Sequence, residues 1–145
     1  MPQSNIKKND PDKRLRRVMG ATTLTGDAVR NSGGESLGKV KEIMIDVPSG
    51  RVAYAVLSFG GILNLGSKLF AVPWNALTLD EDEKEFILDI DKTRLENAPG
   101  FDKDNWPDMA DESWGSAIFS FYGTEPYWEH REEPRERTFG GGGGL

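Results

Sequence analysis

The stretch Leu37–Trp74, LGKVKEIMIDVPSGRVAYAVLSFGGILNLGSKLFAVPW, decides how the rest of the chain is read. Ile43, Ile45 and Val47 alternate with Met44 and Asp46, the period-2 pattern of a strand. Pro48-Ser49-Gly50 supplies turn chemistry, so a hairpin follows. Beyond the turn, Val52, Tyr54 and Val56 share one face, and Ala53, Ala55, Leu57 and Phe59 the other. Both faces are apolar, which predicts a central strand of a small closed sheet rather than an edge with one wet side. Val40 falls out of phase with Ile43, which predicts a β-bulge between them. Leu69–Trp74 reads as a further strand, with Pro73 marking an edge or a strand exit.

Upstream of this stretch, Leu15–Leu24 reads as a short first strand and Asp27–Asn31 as a second extended piece, closed by the turn cluster Asn31-Ser32-Gly33-Gly34. Downstream, Trp74–Leu79 alternates loosely, Asp80–Lys84 is a charged turn, and Phe86–Ile90 returns as a last strand. Short strands at this spacing predict a mainly β fold, a small antiparallel barrel over residues 15–90. After Asp91 the period changes. Asp91 caps a helical turn over Lys92–Asn97 that Pro99-Gly100 ends. A second, amphipathic helix is predicted from Trp106, with Pro107 at its first position and Met109, Ala110, Trp114, Ala117, Ile118 and Phe121 on one face. Gly115 interrupts it at a cost of about 1 kcal/mol, and Gly123 ends it. Residues 91–123 thus form a helical extension packed on the barrel. Residues 1–14 read as a disordered basic arm, and 124–145 as a charged, glycine-rich disordered tail.

A length of 145 residues accommodates one domain with tails. The chain contains no cysteine, so disulfides, thiolate metal sites and cysteine nucleophiles are excluded. That composition suits a reducing cytoplasm. No apolar run approaches the ~18 residues of a membrane span, and the basic N-terminus lacks the apolar core of a secretory signal. A cytoplasmic location is therefore expected. Net charge is −6, unevenly distributed: residues 1–20 hold six Lys/Arg against two Asp, whereas residues 80–112 hold thirteen acidic residues against four basic ones. So acidic a body argues against general nucleic-acid binding. The arm, with Lys7, Lys8, Lys13, Arg14, Arg16 and Arg17, is the exception: it reads as a solvated tail or as a tether for RNA or an anionic membrane surface.

The candidates for chemistry are few. Gly61–Lys68 resembles a phosphate-binding loop only superficially, because its order is Gly-Ser-Lys and a strand follows where that motif needs a helix. His130 is the single histidine and sits in the charged tail, so neither a multi-histidine metal site nor a serine–histidine relay is expected. The acidic clusters Asp80–Glu85 and Asp102–Glu112 lack the pattern of an EF-hand loop. No catalytic residue, metal ligand or cofactor is assigned. What stands out instead is apolar surface. Phe59, Ile62, Leu63 and Leu65 lie in a loop where chains normally turn polar, either folding back over the barrel's open end or forming a partner patch. Late in the chain, Trp106, Trp114 and Phe121 are expected to pack one helix face on the barrel. Phe119, Tyr122 and Trp128 lie off that face and are candidates to anchor a second subunit.

The run Leu37-Gly38-Lys39-Val40, then Asp46 with Ser49-Gly50-Arg51, Tyr54-Ala55-Val56-Leu57 and Ala71-Val72-Pro73-Trp74, resembles the PRC-barrel domain. That is the small β-barrel of the photosynthetic reaction-centre H subunit's cytoplasmic part and of the ribosome maturation factor's C-terminal half. The resemblance covers about residues 16–90. Leu95–Pro99 and Asn105-Trp106-Pro107 also look like the free-standing bacterial members. The quoted residues have structural jobs: Gly38 and Gly50 suit tight turns, Asp46 suits bonding to the turn amides, and Tyr54 gives a core strand an apolar body with a polar tip. Pro73, Trp74, Pro99, Trp106 and Pro107 complete the motif set. The resemblance implies a non-enzymatic module that docks on proteins within larger assemblies, and a homo-oligomer, most simply a dimer, is expected. The alternatives are an RNA-processing or ribosome-associated factor, which in that family carries a further N-terminal domain not expected here, and a reaction-centre-associated subunit.

Overall fold

The hairpin forms where the alternation places it. A computed structural model describes residues 18–59 and 68–129. Strand β2 (Ser36–Asp46) pairs antiparallel with β3 (Arg51–Phe59). At the turn, Gly50 takes a φ of 77°, and its N–H donates to the Asp46 carbonyl at 2.8 Å. Asp46 thus serves the turn through its backbone. A side chain does bond a turn amide, but it is Ser49, whose Oγ accepts from the Arg51 N–H at 3.2 Å. The register slips between Val40 and Glu42, which is the predicted bulge, and slips again between Met44 and Ile45.

The remaining strands are β1 (Ala28–Arg30), β4 (Lys68–Pro73), β5 (Leu77–Asp80), β6 (Glu85–Leu88) and the two-residue β7 (Phe101–Asp102). They form one seven-stranded sheet in the order β5-β6-β1-β2-β3-β4-β7. In that order β4 and β5 lie far apart, yet only the 3-10 turn Trp74–Ala76 separates them along the chain. A strip of strands joined that way has to curl until its ends approach, and the curl is the barrel. Inside it, Val29, Leu37, Val40, Leu57, Phe70, Val72, Phe86 and Leu88 come together from five strands of the sheet and are nearly inaccessible to solvent. Pro73 ends β4 at the exit expected of it, and Trp74 sets its ring 5.7 Å from that of Phe86.

Two features of the predicted sheet differ. Within the expected strand Leu15–Leu24, residues Ala21–Leu24 form a single helical turn, α1; Leu24 alone is buried there, and Val18 is 92% exposed. With one apolar side chain to place, a turn that drops Leu24 onto the barrel suffices. Residues 15–17 lie outside the described residues. The sheet is also not purely antiparallel, because β1 runs parallel to β6. The ion pair Arg30–Glu85 bridges them, with Nε to Oε1 at 2.6 Å.

Asn31 closes this corner. It is 7% exposed; its Nδ2 donates to Glu35 Oε1 at 2.7 Å and to the Ile90 carbonyl at 3.1 Å, while its Oδ1 accepts from the Glu35 N–H at 2.8 Å. Asn31→Ala removes one buried side chain and leaves two part-buried backbone groups, the Glu35 N–H and the Ile90 carbonyl, without this partner, so a loss of about 1–2 kcal/mol is expected. The midpoint of urea unfolding checks this, and an unchanged midpoint contradicts it.

Helix α2 (Lys92–Glu96) begins after Asp91 as predicted, although the Asp91 side chain makes no capping bond, and it buries Leu95 against the barrel. Helix α3 (Glu112–Tyr122) starts six residues later than the reading from Trp106. Two aspartates explain the delay. Asp108 accepts from the Ala110 N–H at 3.0 Å in a local turn, and Asp111 caps the true start by accepting from the Ser113 N–H at 2.9 Å. The bonds from the Ser113 amide and hydroxyl also hold the Asp111 carboxyl below its ordinary pKa. Gly123 ends α3 in the left-handed conformation, at φ 73°.

Candidate functional site

A second core lies outside the barrel, on the far face of β3 and β4. Its floor is Ala53, Tyr54 and Ala71, and its cover is Ile118 and Phe119 of α3 with Trp114, Tyr127 and Trp128 around them. Ala53 joins Tyr54 on this face although the two are sequence neighbours. The register slip opposite, between Met44 and Ile45, bends β3 and turns both outward. Tyr54 is 1% exposed, with ring centres of Trp114, Phe119 and Tyr127 at 5.3, 5.4 and 6.3 Å.

Gly115 lets the helix settle this close. A β-carbon there would stand 2.7 Å from Tyr54 Oη and 2.9 Å from the Trp128 ring. The residue that reads as an interruption of the helix is its point of contact. Two bonds pin the cover at its end: Arg51 Nη1 donates to the Tyr127 carbonyl at 2.8 Å, and the Tyr127 hydroxyl bonds the Asp46 carboxylate. Arg94 of α2 holds the end of α3, donating from Nη2 to the Phe121 carbonyl at 2.8 Å, with its guanidinium 4.4 Å from the centre of the Phe121 ring. Burial, then the Asp46 charge, raises the Tyr127 pKa.

The Tyr54 and Tyr122 hydroxyls are buried without a hydrogen-bond partner among the described residues. Burial pushes both well above the ordinary phenol range. Beside Tyr122, at the meeting of the β5–β6 end with the end of α3, lies a surface pocket of about 340 Å³ that also touches Asn75, Leu88, Asp89 and Gly123.

The residues singled out for partner binding are placed unequally. Phe119 is 1% exposed and faces Tyr54, so the reading that set it off the packed face is corrected. The buried stripe of α3 is Gly115, Ile118 and Phe119, while Ala117 is exposed. Tyr122 and Trp128 are half-buried in the same contacts. Trp128 and the 3-10 turn Tyr127–Glu129 that carries it fall in the stretch read as a disordered tail, and the folded extension instead reaches Glu129. Phe59 is buried inside the barrel, its ring 6.1 Å from that of Phe70. Ile62, Leu63 and Leu65 lie outside the described residues, as does His130. Trp106, expected on the packed helix face, precedes α3; its ring lies tilted against that of Phe101, centres 5.1 Å apart, and the residue stays 39% exposed.

The exposed apolar surface that the sequence reading passed over is the hairpin end. Ile45 is 51% exposed and Val47 83%. Ile45 continues the face of Ile43, which packs on the inner core, past the point where the barrel covers it, and Val47 follows in the turn. The signal was present in the alternation itself, which runs two residues beyond what one core needs.

A strip of short strands curled around one core, with an apolar outer face sealed by an appended helix, defines a small β-barrel module. Residues 16–95 match the family model of the PRC-barrel domain, and the chain belongs to that family. No curated protein gives a significant match. The matched span ends before α3, so the cover of the outer face lies beyond it. Among the described residues, no helix is long and apolar enough to cross a membrane.

Proposed function

We propose that the chain is a non-enzymatic assembly module of the cytoplasm that docks on protein and self-associates, most simply as a dimer. The observation that carries this reading is the apolar hairpin end, Ile45 and Val47, held out to solvent by a rigid two-stranded ribbon. Exposed apolar side chains grouped on a rigid element mark interfaces more often than scattered ones do. The loop residues Ile62, Leu63 and Leu65 belong to the same reading. Thirteen acidic residues against four basic ones over 80–112 weigh against RNA as the ligand.

The test is solution mass by light scattering across a concentration series. The native chain is expected to exceed monomer mass, and the double variant Ile45→Asp/Val47→Asp to fall back to monomer with its circular dichroism unchanged. Equal masses for the native chain and the variant reject the hairpin end as the contact. An Ile62→Asp/Leu65→Asp variant, run in parallel, measures the share of the loop.

A further inference from the structure

The outer face of β3 and β4 is a receptor for one particular helix. Its floor is made of small side chains, Ala53 and Ala71, around the Tyr54 ring, and it accepts a helix that places glycine over the tyrosine hydroxyl and an aromatic four residues on. Among the described residues, the buried members of the inner cluster all lie between Leu24 and Ala98, and the helix adds to it only the partly buried Phe121 and Tyr122 at its end. The helix is tied to the barrel by residues 103–111, whose hydrogen bonds among the described residues are local. Asn105 N–H donates to the Asp102 carbonyl, Trp106 Nε1 to the Lys103 carbonyl, and Ala110 and Asp111 N–H groups to Asp108. Such a linker redirects without breaking a long-range hydrogen bond to any described residue, and nine extended residues reach about 30 Å.

We propose that copies of this chain exchange the cover: the segment 112–129 of one molecule seats on Ala53, Tyr54 and Ala71 of a second, and the reverse, giving a two-fold dimer. This rests on the self-association reading above and names its route. The occupant follows from fit, since the helix shown to complement this face is the chain's own. An exchanged dimer keeps the contacts that 112–129 makes in the closed form, the Arg94 and Arg51 clasps included, and changes the path of the linker. The unpaired hydroxyls of Tyr54 and Tyr122 lie in this same contact, so lifting the cover releases two buried polar groups to solvent.

Two full-length variants test the exchange. Ala71→Asp spoils the face, and Phe119→Asp spoils the helix. Each alone is expected to lose amide-exchange protection across 112–122 while keeping that of β2 and β3. Mixed, they retain one sound face and one sound helix on different molecules. A 1:1 heterodimer in native mass spectrometry is then expected, with protection of α3 returning in the Ala71→Asp copy. A heterodimer without that regained protection overturns the exchange and leaves self-association through the hairpin end standing. A mixture of two monomers overturns the exchange as well. The uncharged pair Tyr54→Ala and Phe119→Ala repeats the test with the same expected result if either aspartate variant fails to fold.

Discussion

Replacing Gly38 by alanine is expected to lower the melting temperature by roughly 15–20 °C. Gly38 sits in β2 at φ 110°, opposite the end of β3, and a β-carbon there would overlap the Ser58 carbonyl oxygen. Two penalties therefore add. The backbone conformation costs an L-residue about 1–3 kcal/mol, and forcing two paired strands apart costs about 1–3 kcal/mol more. The blocking atom belongs to backbone, so no rotamer change relieves it. Gly34→Ala separates the two contributions, because Gly34 has a φ of 90° and nothing within 4 Å of its missing β-carbon. It is expected to show the conformational penalty alone. If thermal unfolding ranks Gly38→Ala no worse than Gly34→Ala, the overlap is not what makes glycine necessary in β2.

Phe119→Ala is expected to cost about 3–5 kcal/mol, the usual loss for a buried phenylalanine, but to spend that loss locally. Phe119 belongs to the outer cluster, whereas the inner cluster draws its buried members from other elements. Its ring touches Tyr54, Tyr127 and Trp128, with centres 5.4, 6.0 and 5.7 Å away. Removing it empties the middle of the cover, and the stability of the cover is smaller than that of the whole domain. Amide exchange is therefore expected to quicken across Glu112–Glu129 and to change little in β2, β3 and β6. Uniform acceleration through the barrel strands would show that the two cores unfold as one.

The parts of the chain that were legible are those where one residue pattern leaves one solution. The hairpin Ser36–Phe59 was, because its alternation, its Pro-Ser-Gly turn and the out-of-phase Val40 all describe the same ribbon. So was the doubly apolar β3, which lies between two cores. The pairing of β1 with β6 was not, since three residues carry no signal of their neighbour's direction. The start of α3 was missed because Trp106-Pro107 is a sound helix opening by itself. The competing caps at Asp108 and Asp111 decide between positions only once their side chains are in place.

The candidate site was legible in composition and misread in orientation. The late aromatics do build a surface, but hydrophobic periodicity places Phe121 and Ala117 on the packed face and leaves Phe119 outside. The correction comes from Gly115. A helix settles deepest where it has no side chain, and the stripe rotates to bring that glycine over Tyr54. The sequence clue was a tyrosine in a strand with both faces apolar, because its ring needs a roof and a glycine in a neighbouring helix supplies one. Tyr127 and Trp128, charged to the tail by their acidic surroundings, follow from the same need.

The parallel meeting of β1 and β6 has a consequence for the order in which the molecule assembles. Arg30 and Glu85, which bridge the two strands, are 55 residues apart in the chain. The β1–β2–β3–β4 portion has its antiparallel neighbours close in sequence, whereas β1 keeps an open edge until β6 arrives. Contacts of such long separation are formed late, after the loop between them has been closed at an entropic cost. During synthesis the half-barrel therefore waits with Val29 unroofed until Phe86 and Leu88 emerge. A ribosome pausing between β4 and β6 would hold the chain in its most aggregation-prone form.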